Sequence, residues 1–173
     1  MKSLFVALAL GLSVFQAAAA TFSLPDAGVS FEAPDGFTEL TQSEIASTYT
    51  SNRAPASVVG DARRTTNIAF DLKQNALPAD KLGEVKTFFE AMFDRVIPGI
   101  DWKQKKLIDM QGQQWIYLEM SSRAIDTDIH NIMLITPLQG RMLVFNFNST
   151  KGEFPKVEAA LRKSIETISL KAK

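Results

Sequence analysis

The chain has 173 residues, 19 basic and 19 acidic side chains, one histidine and no cysteine. The lack of cysteine excludes a disulfide scaffold, a thiol nucleophile and cysteine-ligated zinc or iron–sulfur sites, and one histidine cannot supply a multi-histidine metal cage. A formal net charge of zero argues against a dedicated nucleic-acid binder. The sequence therefore indicates neither a cofactor nor a nucleic-acid partner.

Residues 1–20 have the pattern of a secretory signal peptide. Lys2 gives a positive start, residues 4–15 are predominantly apolar, and a run of four alanines ends the segment. The alanines predict cleavage before Thr21, or one residue earlier, before Ala20. The apolar stretch is too short to span about 30 Å of hydrocarbon. We therefore expect export to the periplasm, with secretion as the alternative, and no stable membrane insertion once the segment is removed.

The segment that remains, residues 21–173, has the size and composition of a single globular domain. Its first elements form a predicted hairpin over residues 22–24 and 29–31, where alternating apolar residues flank a Pro-Asp-Ala-Gly turn. Residues 41–44 read Thr-Gln-Ser-Glu, a capping-box spacing that predicts a short helix. Residues 51–61 contain Asn, Pro, Ser and Gly without a period, and they predict a loop.

The middle of the chain combines a strand pattern with the most regular helix pattern. Residues 64–73 alternate between apolar and polar side chains, as in a strand with one buried face. A helix is predicted to begin at residues 78–80 and to end at Pro98 and Gly99. Its inner face follows the i, i+3, i+4, i+7 spacing and consists of Leu82, Val85, Phe89, Met92, Phe93 and Val96.

Four further strand patterns and a helix complete the chain. The strands are predicted over residues 101–110, 113–123, 128–136 and 141–148, and the turns that contain glycine favour an antiparallel meander. Residues 154–168 have helical apolar spacing, and a short strand is predicted after them. Because strands and helices are partly segregated, the sequence predicts an α+β fold with an antiparallel sheet flanked by helices, not a doubly wound parallel sheet.

The chain contains VSFEAPDGF at residues 29–37 and IAFDL at residues 68–72, followed by the long helix, the hairpin strands and the C-terminal helix. These two motifs and this element order resemble the PsbP-like family, which includes the periplasmic DcrB-type proteins and the PsbP subunit of photosystem II. The resemblance implies an α/β/α sandwich and a non-enzymatic role as an adaptor, assembly factor or accessory subunit. The family has no shared catalytic motif, so the resemblance implies no site residue.

A cluster of polar side chains precedes and begins the third strand of the meander. Asp126, Asp128 and His130 alternate, which on a strand places them on one face at intervals of about 6.8 Å. Two carboxylates and an imidazole could hold a divalent cation, but donors on a flat stripe converge poorly on one ion. A solvated loop that enters a strand explains the same pattern. Among functional interpretations we favour contact with a partner through these residues and Asn131, because such loops commonly carry binding residues.

Asn146 and Asn148 alternate with two phenylalanines in the last strand of the meander. The phenylalanines are predicted to face the core, which places the asparagines on the other face of the sheet. If a helix covers that face, the amides need buried partners, which Thr66 or Asn67 could supply. If the face is open, the two asparagines form a polar surface for a partner or ligand. The sequence leaves both alternatives open.

His130 could also act as the general base of a hydrolase, with a serine and an aspartate from distant positions. The chain has no G-x-S-x-G elbow to support this. We therefore expect a non-enzymatic accessory protein that binds another protein, in an immunity, secretion or envelope-stress role. The alternative is a module that binds a small ligand or lipid in a pocket between the sheet and a helix.

Overall fold

The computed structural model describes residues 19–49, 54–124 and 127–171. The predicted signal peptide up to residue 18 and the predicted contact residue Asp126 lie outside the described residues. None of the helices in these three ranges is long and apolar enough to cross a membrane.

The described residues form ten strands and three α-helices. The strands are β1 (Thr21–Leu24), β2 (Val29–Glu32), β3 (Thr38–Glu39), β4 (Ser57–Gly60), β5 (Thr66–Ala76), β6 (Asp101–Met110), β7 (Gln113–Arg123), β8 (Asp128–Leu138), β9 (Arg141–Thr150) and β10 (Ser169–Leu170). The helices are α1 (Gln42–Thr48), α2 (Leu82–Val96) and α3 (Phe154–Glu166).

Seven strands form the main sheet, in the order β3-β4-β5-β9-β8-β7-β6, and every neighbouring pair is antiparallel. The predicted meander is confirmed, since β6 to β9 pair consecutively. A second, three-stranded sheet has the order β1-β2-β10, and Ser169 and Leu170 pair with Ser30 and Val29. The prediction of an α+β fold built on an antiparallel sheet is therefore confirmed.

The prediction of a loop over residues 51–61 is wrong where β4 lies. Val58 and Val59 are both fully buried although they point to opposite faces of the sheet, because β4 is covered on both sides. A strand that is buried on both faces does not alternate, and a four-residue strand is too short to show another period. The turn-forming residues on either side of β4 therefore led to the prediction of a loop.

Strand β8 extends past its predicted end at Thr136 and includes Pro137. Proline lacks the N–H that a central strand donates to one of its neighbours. Pairing between β8 and β7 ends at Ile135, whereas pairing with β9 continues to Leu138. At Pro137 the strand thus has one neighbour instead of two, and the missing N–H leaves no ladder incomplete.

Helix α1 begins with the predicted capping box. The Thr41 hydroxyl accepts a hydrogen bond from the Glu44 backbone N–H at 3.3 Å, and the Glu44 carboxylate accepts one from the Thr41 N–H at 2.8 Å. That backbone N–H and the guanidinium of Arg64 lower the pKa of Glu44 to about 2. Both partners stabilise the ionised carboxylate, which keeps the N-terminus of this short helix satisfied at neutral pH.

The main sheet is covered on both faces. On one face, α3 and the small sheet pack over an aromatic core in which the Phe31 ring lies 5.0 Å from that of Phe70 and 5.4 Å from that of Phe145. On the other face, α2 covers β7 and neighbouring strands, and α1 packs on β4 and β5. Val96 was predicted to face inward, but it is the last residue of α2 and is 64% exposed. The middle of this second face lies between the two helices.

Candidate functional site

Alternation along β8 separates the residues that were predicted to contact a partner. His130 lies on the face under α3, with Ile132 and Leu134, whereas Asn131 lies on the opposite face. Asp128 is exposed at the start of the strand, and its carboxylate lies 3.4 Å from the Lys151 ammonium. The predicted residues therefore do not form one surface.

His130 is buried in a polar cluster beneath α3. Its Nε2 lies 2.9 Å from Glu119 Oε1, and its ring stacks on that of Phe154 with centroids 3.5 Å apart. The Tyr117 hydroxyl donates to the other oxygen of Glu119 at 2.7 Å. Arg162, from α3, donates to Glu119 and to the Tyr117 hydroxyl at 2.9 and 2.8 Å. The cluster thus ties α3 to β7 and β8.

Electrostatics keep this cluster charged. Burial opposes ionisation of Glu119, but hydrogen bonds from Tyr117, Arg162 and His130 outweigh burial and lower the pKa of its carboxyl group. Burial, together with the adjacent carboxylate, raises the pKa of Tyr117 to about 12. The phenol thus stays protonated and acts as a donor at neutral pH.

The cluster contains an imidazole and a carboxylate, which are two of the three groups of a hydrolytic triad. Ser121 and Ser149 lie beside His130 on the neighbouring strands. Among the described residues neither hydroxyl bonds to His130, and that of Ser149 lies 3.0 Å from the Thr66 hydroxyl instead. Because Phe154 lies flat on the imidazole, the arrangement favours a structural role.

The opposite face of the sheet carries a row of amides. Asn148 Nδ2 donates to Asn67 Oδ1 at 3.0 Å, and the Tyr49 hydroxyl donates to the same oxygen at 2.9 Å. Burial raises the pKa of Tyr49 to about 12, which keeps it a donor. Of the two partners that the sequence offered, Asn67 is therefore the one used, while Thr66 lies on the other face with Ser149. The C-terminal end of α1 covers this part of the row.

Asn146 lies further along β9 and differs from Asn148. Its Oδ1 atom is buried, yet among the described residues no donor reaches it. A buried acceptor without a partner is uncommon and unfavourable, because the oxygen has lost its hydrogen bonds to water. Asn146 thus differs from Asn148 in having a buried side-chain oxygen that accepts no hydrogen bond from the described residues.

Asn146 lines an open depression that we call the α1–α2 groove. It consists of two adjoining cavities of about 580 and 210 Å³, which share Lys73 and cross β5, β9 and β8 between the end of α1 and helix α2. Its apolar lining includes Phe88, Phe89, Met92, Met133, Met142 and Val144. Phe88 stands at its α2 side and is 57% exposed.

Sequence reasoning missed this groove. Phe88 lies outside the apolar stripe of α2 that faces the core, so the helical spacing predicted no contact for it. Apart from Phe89 and Met92, the other lining residues come from the end of α1, from residues 54–55 and from three strands, all distant from α2 in the chain. The available signal was the adjacent pair of phenylalanines in an otherwise amphipathic helix, since one of two consecutive residues must point away from the core.

No family model matches the chain, and no curated protein matches it in sequence. Solved structures do. The solution structure of cyanobacterial PsbP (CyanoP) from Synechocystis has a TM-score of 0.64 at 17% identity, over 95% of this chain and 99% of that one. This chain has the PsbP-like fold. The resemblance inferred from the sequence is therefore confirmed at the level of the fold.

Two further solved structures share the architecture. PA94 from Pseudomonas aeruginosa, a protein of unknown function, has a TM-score of 0.55 at 13% identity, over 90% of this chain and 99% of that one. LpqN from Mycobacterium tuberculosis, described as involved in cell envelope biogenesis, has a TM-score of 0.55 at 16% identity, over 89% of this chain and 86% of that one. At such identities the PsbP-like fold is what they have in common with this chain.

Proposed function

We propose that this PsbP-like chain is exported to the periplasm and acts there as a non-enzymatic accessory protein that binds another protein through the α1–α2 groove. The observation that carries the proposal is Phe88, a large aromatic side chain that is 57% exposed beside an apolar cavity. Exposed aromatic residues at concave apolar surfaces are typical anchors of protein interfaces. The segment over residues 1–20 supports export, and the envelope role described for LpqN is compatible with it.

The predicted contact residues divide within this proposal. Asn146 lines the groove, and Asn131 and Asn148 lie on the same face of the sheet. Asp128 is exposed at the start of β8, away from the groove, and His130 lies beneath α3. We therefore place the main contact with the partner at the groove. Contact through the other predicted residues remains a prediction, and binding at the groove does not depend on it.

The experiment compares two substitutions in the same helix. Phe88→Ser removes the exposed aromatic group from the groove, whereas Val96→Ser removes an equally exposed apolar group, 64% exposed, that does not line it. Tagged versions of the wild-type protein and both variants are expressed with the signal sequence, and proteins retained from envelope extracts are quantified. We expect Phe88→Ser to lose specific partners that Val96→Ser keeps. Equal recovery from all three proteins would contradict the assignment of the groove.

Export has its own measurement. Intact mass of the protein from the periplasmic fraction should correspond to a chain that begins at Thr21 or Ala20. Recovery of the full 173-residue chain in the cytoplasmic fraction would contradict the proposed localisation, whatever the groove binds.

A second candidate function has one specific observation in its favour. The larger cavity, of about 580 Å³, falls within the size range of small-molecule sites, and its lining is predominantly apolar. A lipid or another small apolar ligand therefore fits its volume. Native mass spectrometry of the purified protein tests this alternative, which predicts a co-purified mass that disappears in the Phe88→Ser variant.

A further inference from the structure

We infer that the α1–α2 groove binds an extended, uncharged apolar segment of a polypeptide, and that a backbone N–H of this segment donates to Asn146. The inference rests on the proposed function and specifies the kind of partner that the groove accepts. It depends on the shape-adaptable lining, on the balance of charge and on the unsatisfied acceptor, each of which limits the ligand in a different way.

The lining favours apolar side chains of variable shape. Three of the six methionines in the chain line the groove: Met92, Met133 and Met142. Methionine is unbranched and polarisable, so surfaces rich in it can adjust to different apolar side chains. With Phe88 and Phe89 alongside, the groove offers contact area without the fixed shape that a single rigid ligand requires.

The charges disfavour an ionic headgroup as the occupant. Among the described lining residues, Asp71 and Lys73 are the charged ones, and they pair with each other at 2.5 Å. The Asp71 carboxylate also accepts from the Ala56 backbone N–H at 3.3 Å. The ammonium and the carboxylate thus largely neutralise each other, and the groove has no surplus charge to recognise an anionic or cationic group.

Asn146 distinguishes a peptide from an acyl chain. Its Oδ1 atom lacks a donor, so a ligand that supplies one recovers the hydrogen bond lost on burial. A hydrocarbon chain has no donor to offer, whereas an extended peptide carries an N–H at every residue other than proline. Because this oxygen is buried, the bond requires the Asn146 side chain to rotate toward the ligand. A peptide therefore satisfies both the apolar lining and the acceptor.

The test uses synthetic peptides and the purified chain that begins at Thr21. The probes are fluorescein-labelled hexapeptides in which serine alternates with leucine, isoleucine or phenylalanine, so that one face is apolar when the peptide is extended. Binding is measured by fluorescence anisotropy. We expect at least one of these series to bind, Phe88→Ser to weaken binding about tenfold or more, and Val96→Ser to leave it unchanged. Circular dichroism confirms that each variant is folded.

A backbone N-methyl scan tests the hydrogen bond itself. Each amide of the best peptide is methylated in turn, which removes one donor at a time. We expect methylation at one position to weaken binding to the wild-type protein by about tenfold, the effect of one lost hydrogen bond. The same methylation should have little effect on Asn146→Leu, which keeps the approximate side-chain volume and removes the acceptor. Equal effects in both proteins would overturn the role of Asn146.

The remaining outcomes separate this inference from the proposed function. If dodecanoate binds in a manner that depends on Phe88 and no peptide does, the groove is a lipid site and the inference is wrong. If neither probe binds while Phe88→Ser still abolishes partner recovery from envelope extracts, the partner docks as a folded surface. The inference then fails and the proposed function stands.

Discussion

Glu119→Gln is the substitution whose effect on stability follows most directly from the structure. The carboxylate of Glu119 accepts hydrogen bonds from Tyr117, His130 and Arg162 at 2.7, 2.9 and 2.9 Å, and its side chain is only 5% exposed. Glutamine preserves the shape and one oxygen, but it removes the charge and replaces the second acceptor oxygen with an NH2 group. The cluster then loses its charged acceptor without losing its volume.

The expected size of the effect comes from those three bonds. A hydrogen bond to a charged group contributes roughly 1 kcal/mol more than a neutral one, which gives about 3 kcal/mol for the three. Arg162 is partly exposed and keeps its second carboxylate, Glu158, at 2.7 Å, so part of that loss is recovered. We expect Glu119→Gln to lower the free energy of unfolding by about 2 kcal/mol.

Urea unfolding followed by tryptophan fluorescence measures this difference, because Trp115 is fully buried on the strand that carries Tyr117 and Glu119. Glu158→Gln is the matched control: it removes the exposed partner of the same Arg162, and we expect a loss of at most about 0.5 kcal/mol. If Glu119→Gln is as mild as this control, the cluster does not hold α3 in the way that its geometry indicates.

The pH dependence supplies an independent check. The pKa of Glu119 in the folded chain lies below its ordinary value of 4.5, so its contribution to stability is fully present above that pH. It is lost as the pH falls through the folded-state pKa. The difference in unfolding free energy between wild type and Glu119→Gln should therefore shrink as the pH falls below about 4.5. A difference that grows as the pH falls below that value would contradict this sign.

Four further substitutions test the fold, each by urea unfolding. Thr41→Ala removes the cap of α1 and should cost about 1 kcal/mol. Phe145→Ala empties the centre of the aromatic core and should cost about 3–5 kcal/mol, with a smaller loss indicating that the core collapses around the gap. Gly28→Ala should cost more than Gly36→Ala: both have positive φ, but only at Gly28 would the new Cβ lie 2.8 Å from a backbone oxygen, that of Lys171. Equal losses at the two glycines would exclude the contact as the cause.

Most of the fold could be predicted because its patterns are local. Alternation in β5 and β9, the amphipathic stripe of α2 and the Thr41–Glu44 capping box each depend on residues within one element. Strand β4 could not be recognised, since Val58 and Val59 are buried by contacts from elements on both sides. Its burial is a property of the tertiary structure and leaves no period in the sequence.

The candidate site was less predictable for the same physical reason. Alternation predicts the face of the sheet to which Asn146 and Asn148 point, but it does not predict what covers that face. The cover differs for the two residues, since Asn148 bonds to Asn67 and Asn146 Oδ1 has no donor among the described residues. The environment of His130 depends on Arg162 and Phe154, which lie in α3. Glu119, the one acidic residue in the otherwise apolar run over residues 115–120, was the local sign of a buried charge, and such a charge requires partners.

The central claim is that this PsbP-like chain binds a protein partner through the α1–α2 groove. Site-specific photo-cross-linking tests this claim most directly. A photoreactive amino acid is placed at position 88 or, as the control, at position 96 of the same helix, and cells that export the protein are irradiated. We expect a discrete cross-linked protein from position 88 and none from position 96. Identical cross-linking patterns at the two positions, or a cross-link from position 96 alone, would contradict binding at the groove.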